Sequence, residues 1–292
     1  MKRFIKKIFY YLLGLMILLL TNLTFNIIKS NSEELKIKKS SVVIIGDSHP
    51  LKAIDPNLFI NANNICQGAE NYIISYWKLK KILSLYTPDT IIIGFSNHNI
   101  SEFNDIKFYE KKYASTMFKR VFLIQDFKSL KKLNNNFKIN KKEYYTFILK
   151  YFCLYPKFNH IHFIGTYENS KISEITNAEE RANRHFYNDD TDLSYDFSKT
   201  NISYLDSIIF TCKKNNIVPI LVQAPVHKSY YNLIPEKNKN KYEFLKEKYS
   251  NYLINFDEIN YPDSLFYDSD HLNEYGAKLF TKKLINTMNK NK

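Results

Sequence analysis

Glycine and proline are scarce in this chain, with 6 and 8 among 292 residues. That composition excludes a collagen-like or a Gly/Pro-rich disordered chain. Cysteine is rare too: only Cys66, Cys153 and Cys212. An odd number, at spacings that fit neither CxxC nor a zinc pattern, excludes a disulfide scaffold and gives no metal signature. Cys153 and Cys212 sit among apolar residues and read as core. Acids are outnumbered, 29 against 42 Lys and Arg, for a formal net charge of +13. No nucleic-acid-binding motif accompanies that charge, so no nucleic-acid partner is expected. A basic surface attracts polyanions such as acidic polysaccharide or anionic headgroups, although a solvated lysine-rich face is its ordinary meaning.

What is present begins with an apolar run. Hydrophobic residues make up 45% of the chain, enough for one large domain, or one domain with an insertion. Residues 1–7, MKRFIKK, are a basic tail, and Ile8–Ile28 carries no charge. At about 1.5 Å per residue such a run crosses roughly 30 Å of hydrocarbon. Positive charge before it predicts the N-terminus inside and the body in the periplasm or outside the cell. A small-residue cleavage site is missing, and Thr21, Asn22, Thr24 and Asn26 make the end of the run polar. An uncleaved anchor, single-pass in the cytoplasmic membrane, is therefore expected over 8–28, with a polar tether over 29–40.

The body is expected over 41–292. Ser41–Pro50, SVVIIGDSHP, reads as a buried strand closed by Gly46. Leu51–Ile60 starts as a helix and breaks before Pro56; Ile60–Asn71 is a polar loop with Gly68. Tyr72–Tyr86 has helical spacing, and Thr90–Ile93 is a second buried strand ended by Gly94. Strand, helix, strand is a βαβ pattern and implies a parallel sheet. From about 101 to 200 the pattern blurs, helical over 103–150 and polar over 157–200, including Asn188–Thr191; it reads as an insertion, a lid or substrate-facing subdomain. Regularity returns with a helix over Ile202–Asn215, a strand over Ile217–Gln223, a helix over 238–250, a strand over Leu253–Phe256 and a last helix over Asn273–Asn286. The expected fold is a three-layer α/β/α domain around a parallel sheet of about five strands, flavodoxin-like in plan.

Two stretches carry chemistry. Ser48 sits on a turn at a strand's C-terminal end, where open α/β sheets place ligands. More than two hundred residues later, Asp268-Ser-Asp-His271 supplies a histidine and an upstream carboxylate. A serine hydroxyl needs a base within hydrogen-bond reach to become a nucleophile, and that base needs a carboxylate to hold its tautomer. The ordinary roles of the same residues are helix caps and turn positions.

GDS after a strand, a loop glycine, G-x-x-N after a second strand, and D-x-x-H before a last helix resemble the SGNH/GDSL hydrolase family over roughly 41–100 and 217–288. The resemblance implies Ser48 as nucleophile, His271 as general base and Asp268 as the acid that orients it. It implies an oxyanion hole from the Ser48 and Gly68 backbone N–H groups and the Asn97 amide. Asn99 and Ser96 are alternatives for Asn97, because the family's G-x-N-D is one residue longer here; Asp270 is an alternative for Asp268. His49 replaces the family's leucine after GDS. His49, His98, Gln223 and His227 are possible substrate contacts. A metal on His49, His98 and His227 has no spacing support, and neither metal nor cofactor is expected. The departures look more like membrane-anchored SGNH proteins that handle acyl groups on bacterial surface polymers.

The expected function is a serine esterase or O-acyltransferase, acetyl by preference, on a cell-envelope or extracellular polysaccharide. Transfer would imply a multi-pass membrane acyltransferase partner. Two alternatives stay open: a catalytically silent SGNH-like module that binds glycan or scaffolds, and a lipid-directed esterase.

Overall fold

The computed structural model describes residues 1–34, 37–125, 131, 140–157, 163–171, 175–188, 193–256 and 261–290. Much of the helical expectation between 126 and 139, and the polar run beyond Asn188 to Thr191, lie outside the described residues. The chain divides into two units: Met1–Ile37 with Lys107–Phe163, and Lys38–Ile106 with Ile164–Lys292.

The second unit holds a five-stranded sheet, all parallel. Its strands are β1 (Val42–Ile45), β2 (Ala62–Asn64), β3 (Thr90–Gly94), β4 (Val218–Val222) and β5 (Leu253–Ile254), in the order β2-β1-β3-β4-β5. Parallel strands need crossover helices, and those helices cover both faces. Alternate side chains point to opposite faces, which is why β1 and β3 read as unbroken apolar runs. On one face Ile44, Ile92, Val222 and Ile254 pack with Leu51 of the Ser48–Ala53 helix and with Phe280 and Leu284 of the Glu274–Lys290 helix. Val43, Ile45, Ile91, Ile93 and Leu221, pointing the other way, are equally buried. The helices Tyr72–Leu83 and Lys199–Lys214 pack against each other, and the latter against β4.

The polar loop expected over Ile60–Asn71 contains a strand, β2. It is three residues of Ala and Asn at the sheet edge, with no β-branched residue to announce it. Asn64 earns its place through its side chain, which donates to Pro50 O and Ile54 O, both at 2.9 Å, and accepts from Cys66 N at 3.2 Å. That edge strand matters for function. The chain leaves β1 to one side for β2 and to the other for β3, so the sheet order reverses at β1. The crevice beyond the C-terminal ends of β1 and β3 is therefore the topological switch point.

In the first unit the apolar helix runs from Lys2 to Glu34, into the segment expected as a tether. It is long and apolar enough to cross a membrane. Its polar end is fastened by two asparagines. Asn22 Nδ2 donates to Cys153 O and Leu154 O at 3.0 and 3.2 Å, and Asn26 Nδ2 to Phe152 O and Tyr155 O, both at 2.8 Å. Asn26 Oδ1 accepts from Lys157 N at 2.6 Å. These carbonyls close a π-helical turn, Leu149–Cys153, that follows the Lys141–Ile148 helix. The asparagines thus supply hydrogen bonds that a helix end lacks. Phe118, Phe147 and Phe152 form the buried centre of this unit; Cys153, expected in the core, is only half-buried.

Candidate functional site

β1 ends at Gly46 with φ +137°, a backbone region that L side chains rarely adopt. A Cβ there would meet Pro50 Cγ at 2.9 Å, and one on Gly94, at the end of β3, would meet it at 2.6 Å. The two glycines let Pro50 lie across both strand ends, which turns the chain sharply into the Ser48–Ala53 helix. Asp47 caps that helix, accepting from His49 N at 2.9 Å. Ser48 is half-buried between buried neighbours and stands first in the helix. Among the described residues its hydroxyl has no hydrogen-bond partner, and neither the Ser48 N–H nor the Gly68 N–H donates to an acceptor. A Cβ on Gly68 would meet nothing within 4 Å, so the space beside its Cα is open.

The C-terminal motif folds back on itself. His271 Nδ1 lies 2.9 and 3.0 Å from the two oxygens of Asp268. The same carboxylate accepts from the backbone N–H of Asp270 and of His271, at 3.1 and 2.9 Å. Asp268 is thus fixed by its own turn before it meets the ring, and it settles Nδ1 as the protonated nitrogen. Nε2 of His271 is then the basic nitrogen, and it is buried without a hydrogen-bond partner. Asp270 approaches Nδ1 only to 3.4 Å and makes no hydrogen bond to it. Of the two aspartates considered for this position, Asp268 holds the ring.

Four of the seven histidines form a row, His271, His49, His98 and His185, with ring centroids 5.2, 4.1 and 5.1 Å apart; the first pair meets edge to face, the second is tilted and the third stacked. His49 is the residue after Ser48, so this row brings the GDS turn and the D-x-x-H loop together. His98 Nε2 sits 2.5 Å from Asp47 Oδ2, and Asn99 Nδ2 donates to the same oxygen at 2.6 Å. Burial pushes the Asp47 carboxyl up, but the neighbouring His98 and His49 outweigh it and hold it well below the usual carboxylate range. Burial likewise pushes Asp270 up, and His271 and His49 bring it well below the usual range. Burial pulls the His49 imidazole down, while Asp270, 3.5 Å from its Nε2, and Asp47 more than offset this and raise it. His185 is the opposite case: burial first, then the charge of His98, depress it well below 6.5. Its Nδ1 meets the Tyr230 hydroxyl at 2.7 Å.

The remaining expected residues divide clearly. Asn97 opens the 3₁₀ turn Asn97–Ile100 after β3 and is buried; its Oδ1 has no partner among the described residues. Asn99 is fully occupied, with Oδ1 accepting from Ser96 N at 2.8 Å and Nδ2 on Asp47. Ser96 is buried beneath it. This leaves Asn97 as the asparagine with an uncommitted amide. His98, a possible substrate contact by sequence, supports Asp47 from within. His227 caps the Lys228–Tyr231 helix, with Nδ1 2.7 Å from Ser229 Oγ and Nε2 3.1 Å from Asp263 Oδ1. Both its ring nitrogens are engaged in shaping a loop. Gln223 is buried at the end of β4. Among the described residues one group can hold a metal ion, His49 with Asp270 and His271, whose ligand atoms lie within 4.8 Å of one another. It is not the set His49, His98 and His227. The Arg181 guanidinium, 3.4 Å from Asp270 Oδ1, already supplies a positive charge there and opposes a cation.

Arg181 was not anticipated. It donates to Asp268 Oδ2 at 3.2 Å and touches Asp270, and it shares the Ala178–Phe186 helix with His185. The two residues are four apart, hence on one helix face. That spacing is the signal sequence reading passed over, in a segment whose polarity suggested a loop. No protein-family model and no curated protein matches this chain.

Proposed function

We propose that the chain is a serine-dependent esterase or O-acyltransferase of SGNH type, acting on acyl esters of an envelope or extracellular polysaccharide. The observation that carries this reading is His271: one ring nitrogen held by Asp268, the other buried and unpartnered beside the Ser48 turn. Ser48 Oγ attacks the ester carbonyl and passes its proton to His271 Nε2. The carbonyl oxygen, now negative, accepts from the Ser48 and Gly68 N–H groups and from the Asn97 amide, each such donor contributing about 3–4 kcal/mol to the transition state. His271 returns the proton to the departing alkoxide, leaving an acyl-serine. Water or a sugar hydroxyl then gives up a proton to His271 and attacks the acyl-serine; the bond from the acyl carbon to Ser48 Oγ breaks, His271 returns the proton to Oγ, and the acid or the new ester leaves. The polysaccharide assignment rests on the resemblance to surface-polymer acylation proteins, the basic composition and the apolar N-terminal helix. Transfer, as opposed to hydrolysis, requires a membrane acyltransferase as donor.

One observation favours a second reading, a catalytically silent glycan-binding module. Ser48 and His271 Nε2 make no hydrogen bond to each other. In unliganded active sites such bonds are commonly open and close with substrate. A serine-reactive fluorophosphonate separates the two readings. With the full chain in detergent, we expect a single adduct by intact mass, absent from Ser48→Ala and from His271→Ala. A folded native chain that takes no label leaves the binding module.

A further inference from the structure

The first unit presents a concentration of charge that the proposed chemistry does not use. Lys119 and Lys157 each place Nζ 4.3 Å from the centre of the Tyr151 ring, and Lys150 places its own at 5.8 Å. Among the described residues none of the three has a carboxylate partner. Three ammonium groups round one ring repel each other, and cation–π attraction of about 0.5–1 kcal/mol at an exposed site offsets little of this. An anion placed among them removes the repulsion. Beside the lysines, Leu149, Leu154 and Tyr155 are exposed, Tyr155 to 65%. This face stands where Asn22 and Asn26 bind the carbonyls of residues 152–155, at the polar end of the apolar helix.

Exposed leucine and tyrosine flanked by lysines is the pattern of a surface lying in the boundary between headgroups and acyl chains. Lysines next to a spanning helix attract acidic headgroups. We propose that the Leu149–Lys157 face is seated in the membrane surface, with Lys119, Lys150 and Lys157 binding the phosphate of acidic phospholipids where the N-terminal helix leaves the bilayer. The helix alone would tether the first unit; this seat fixes its height above the lipid.

The chain contains one tryptophan, Trp77, which is fully buried, so an added tryptophan reports alone against a constant background. We would reconstitute full-chain Tyr155→Trp, and Leu154→Trp as a second variant, into phosphatidylcholine vesicles with and without phosphatidylglycerol. Lipids brominated near the headgroup or near the chain end would serve as quenchers, with Leu18→Trp marking the bilayer interior. A side chain about 5–10 Å into the boundary should lose about half its emission to shallow bromines and little to deep ones. Phosphatidylglycerol should deepen that quenching, and Lys119→Gln/Lys150→Gln/Lys157→Gln should abolish the increase. Quenching of Leu18→Trp alone, with both reporters unquenched, overturns the proposal. So does blue-shifted reporter emission without quenching, which means a second copy covers the face. Absence of quenching at Leu18→Trp as well removes the proposal together with the spanning helix. Phosphatidylglycerol-dependent quenching that survives the triple substitution refutes the lysine seat.

Discussion

Two aspartates stand within reach of one histidine, and small differences of position separate them. Asp268 makes the hydrogen bond to His271 Nδ1 and is braced by two backbone N–H groups; Asp270 faces His49 and Arg181. Removing the first should free the ring to take the wrong tautomer, whereas removing the second changes only the local charge. Asp268→Asn is therefore expected to slow fluorophosphonate labelling by roughly 10³–10⁴-fold. Asp270→Asn should slow it far less, because it removes a charge but no hydrogen bond to the ring. Equal losses in a side-by-side rate measurement would reject this division of labour. The same logic separates the asparagines: Asn99 is tied to Ser96 and Asp47, so its loss loosens the turn, while Asn97 has an amide to offer.

At the scale of elements, the loop after β2 is the least regular part of the site, yet it is firmly held. Lys78, on the Tyr72–Leu83 helix, is wholly buried and donates to Ile65 O at 2.6 Å and Glu70 Oε2 at 2.5 Å. Ser75 Oγ donates to Glu70 Oε1 at 2.6 Å. The stretch carrying Gly68 is thus clamped at both ends by one helix, which fixes its backbone without a regular strand. Such preorganisation is what makes an oxyanion donor effective. Lys78→Met strands the Glu70 carboxylate and should cost about 3–5 kcal/mol in urea unfolding. The double variant Lys78→Met/Glu70→Leu should recover part of that loss, since no buried charge is left alone. A single variant as stable as the native chain would show that the clamp is not needed.

Across the whole second unit, the histidine row joins the ends of β1 and β3, the Ala178–Phe186 helix and the loop before the last helix, so protonation is coupled to folding. His185 is depressed by burial and by His98, and the unfolded chain takes up its proton first. Its contribution is therefore lost as pH falls below about 6.5. His49, raised by its aspartates against its own burial, has the opposite sign: its contribution is complete below the ordinary value and disappears as pH rises through the folded one. Asp47 and Asp270, both depressed, stabilise above the ordinary carboxylate range and lose this as pH falls through their folded values. His185→Gln keeps a partner for Tyr230 and removes the first of these contributions. Between about pH 6.5 and 4.5 its urea midpoint should fall less than that of the native chain. Parallel declines would place the acid sensitivity elsewhere.

The sequence by itself determined the parallel sheet, because β1, β3 and β4 are apolar on both faces and are separated by helical periods. It determined the apolar N-terminal helix through length and lack of charge. It also placed Asp268 and Asp270 within a local turn of His271, and only the structure chose Asp268. β2 was not legible, because an edge strand of Ala and Asn draws its stability from side-chain bonds to distant carbonyls rather than from its own residues. Nor were Arg181 and His185, whose hydrogen-bond partners lie 87 and 45 residues away in the chain. Only the tertiary structure could tie Asn99 to Asp47 and leave the Asn97 amide uncommitted, give His98 and His227 their internal partners, and bring four histidines into one row. Each of those outcomes depends on which buried polar group reaches which partner, and that is set by packing between segments that sequence order keeps apart.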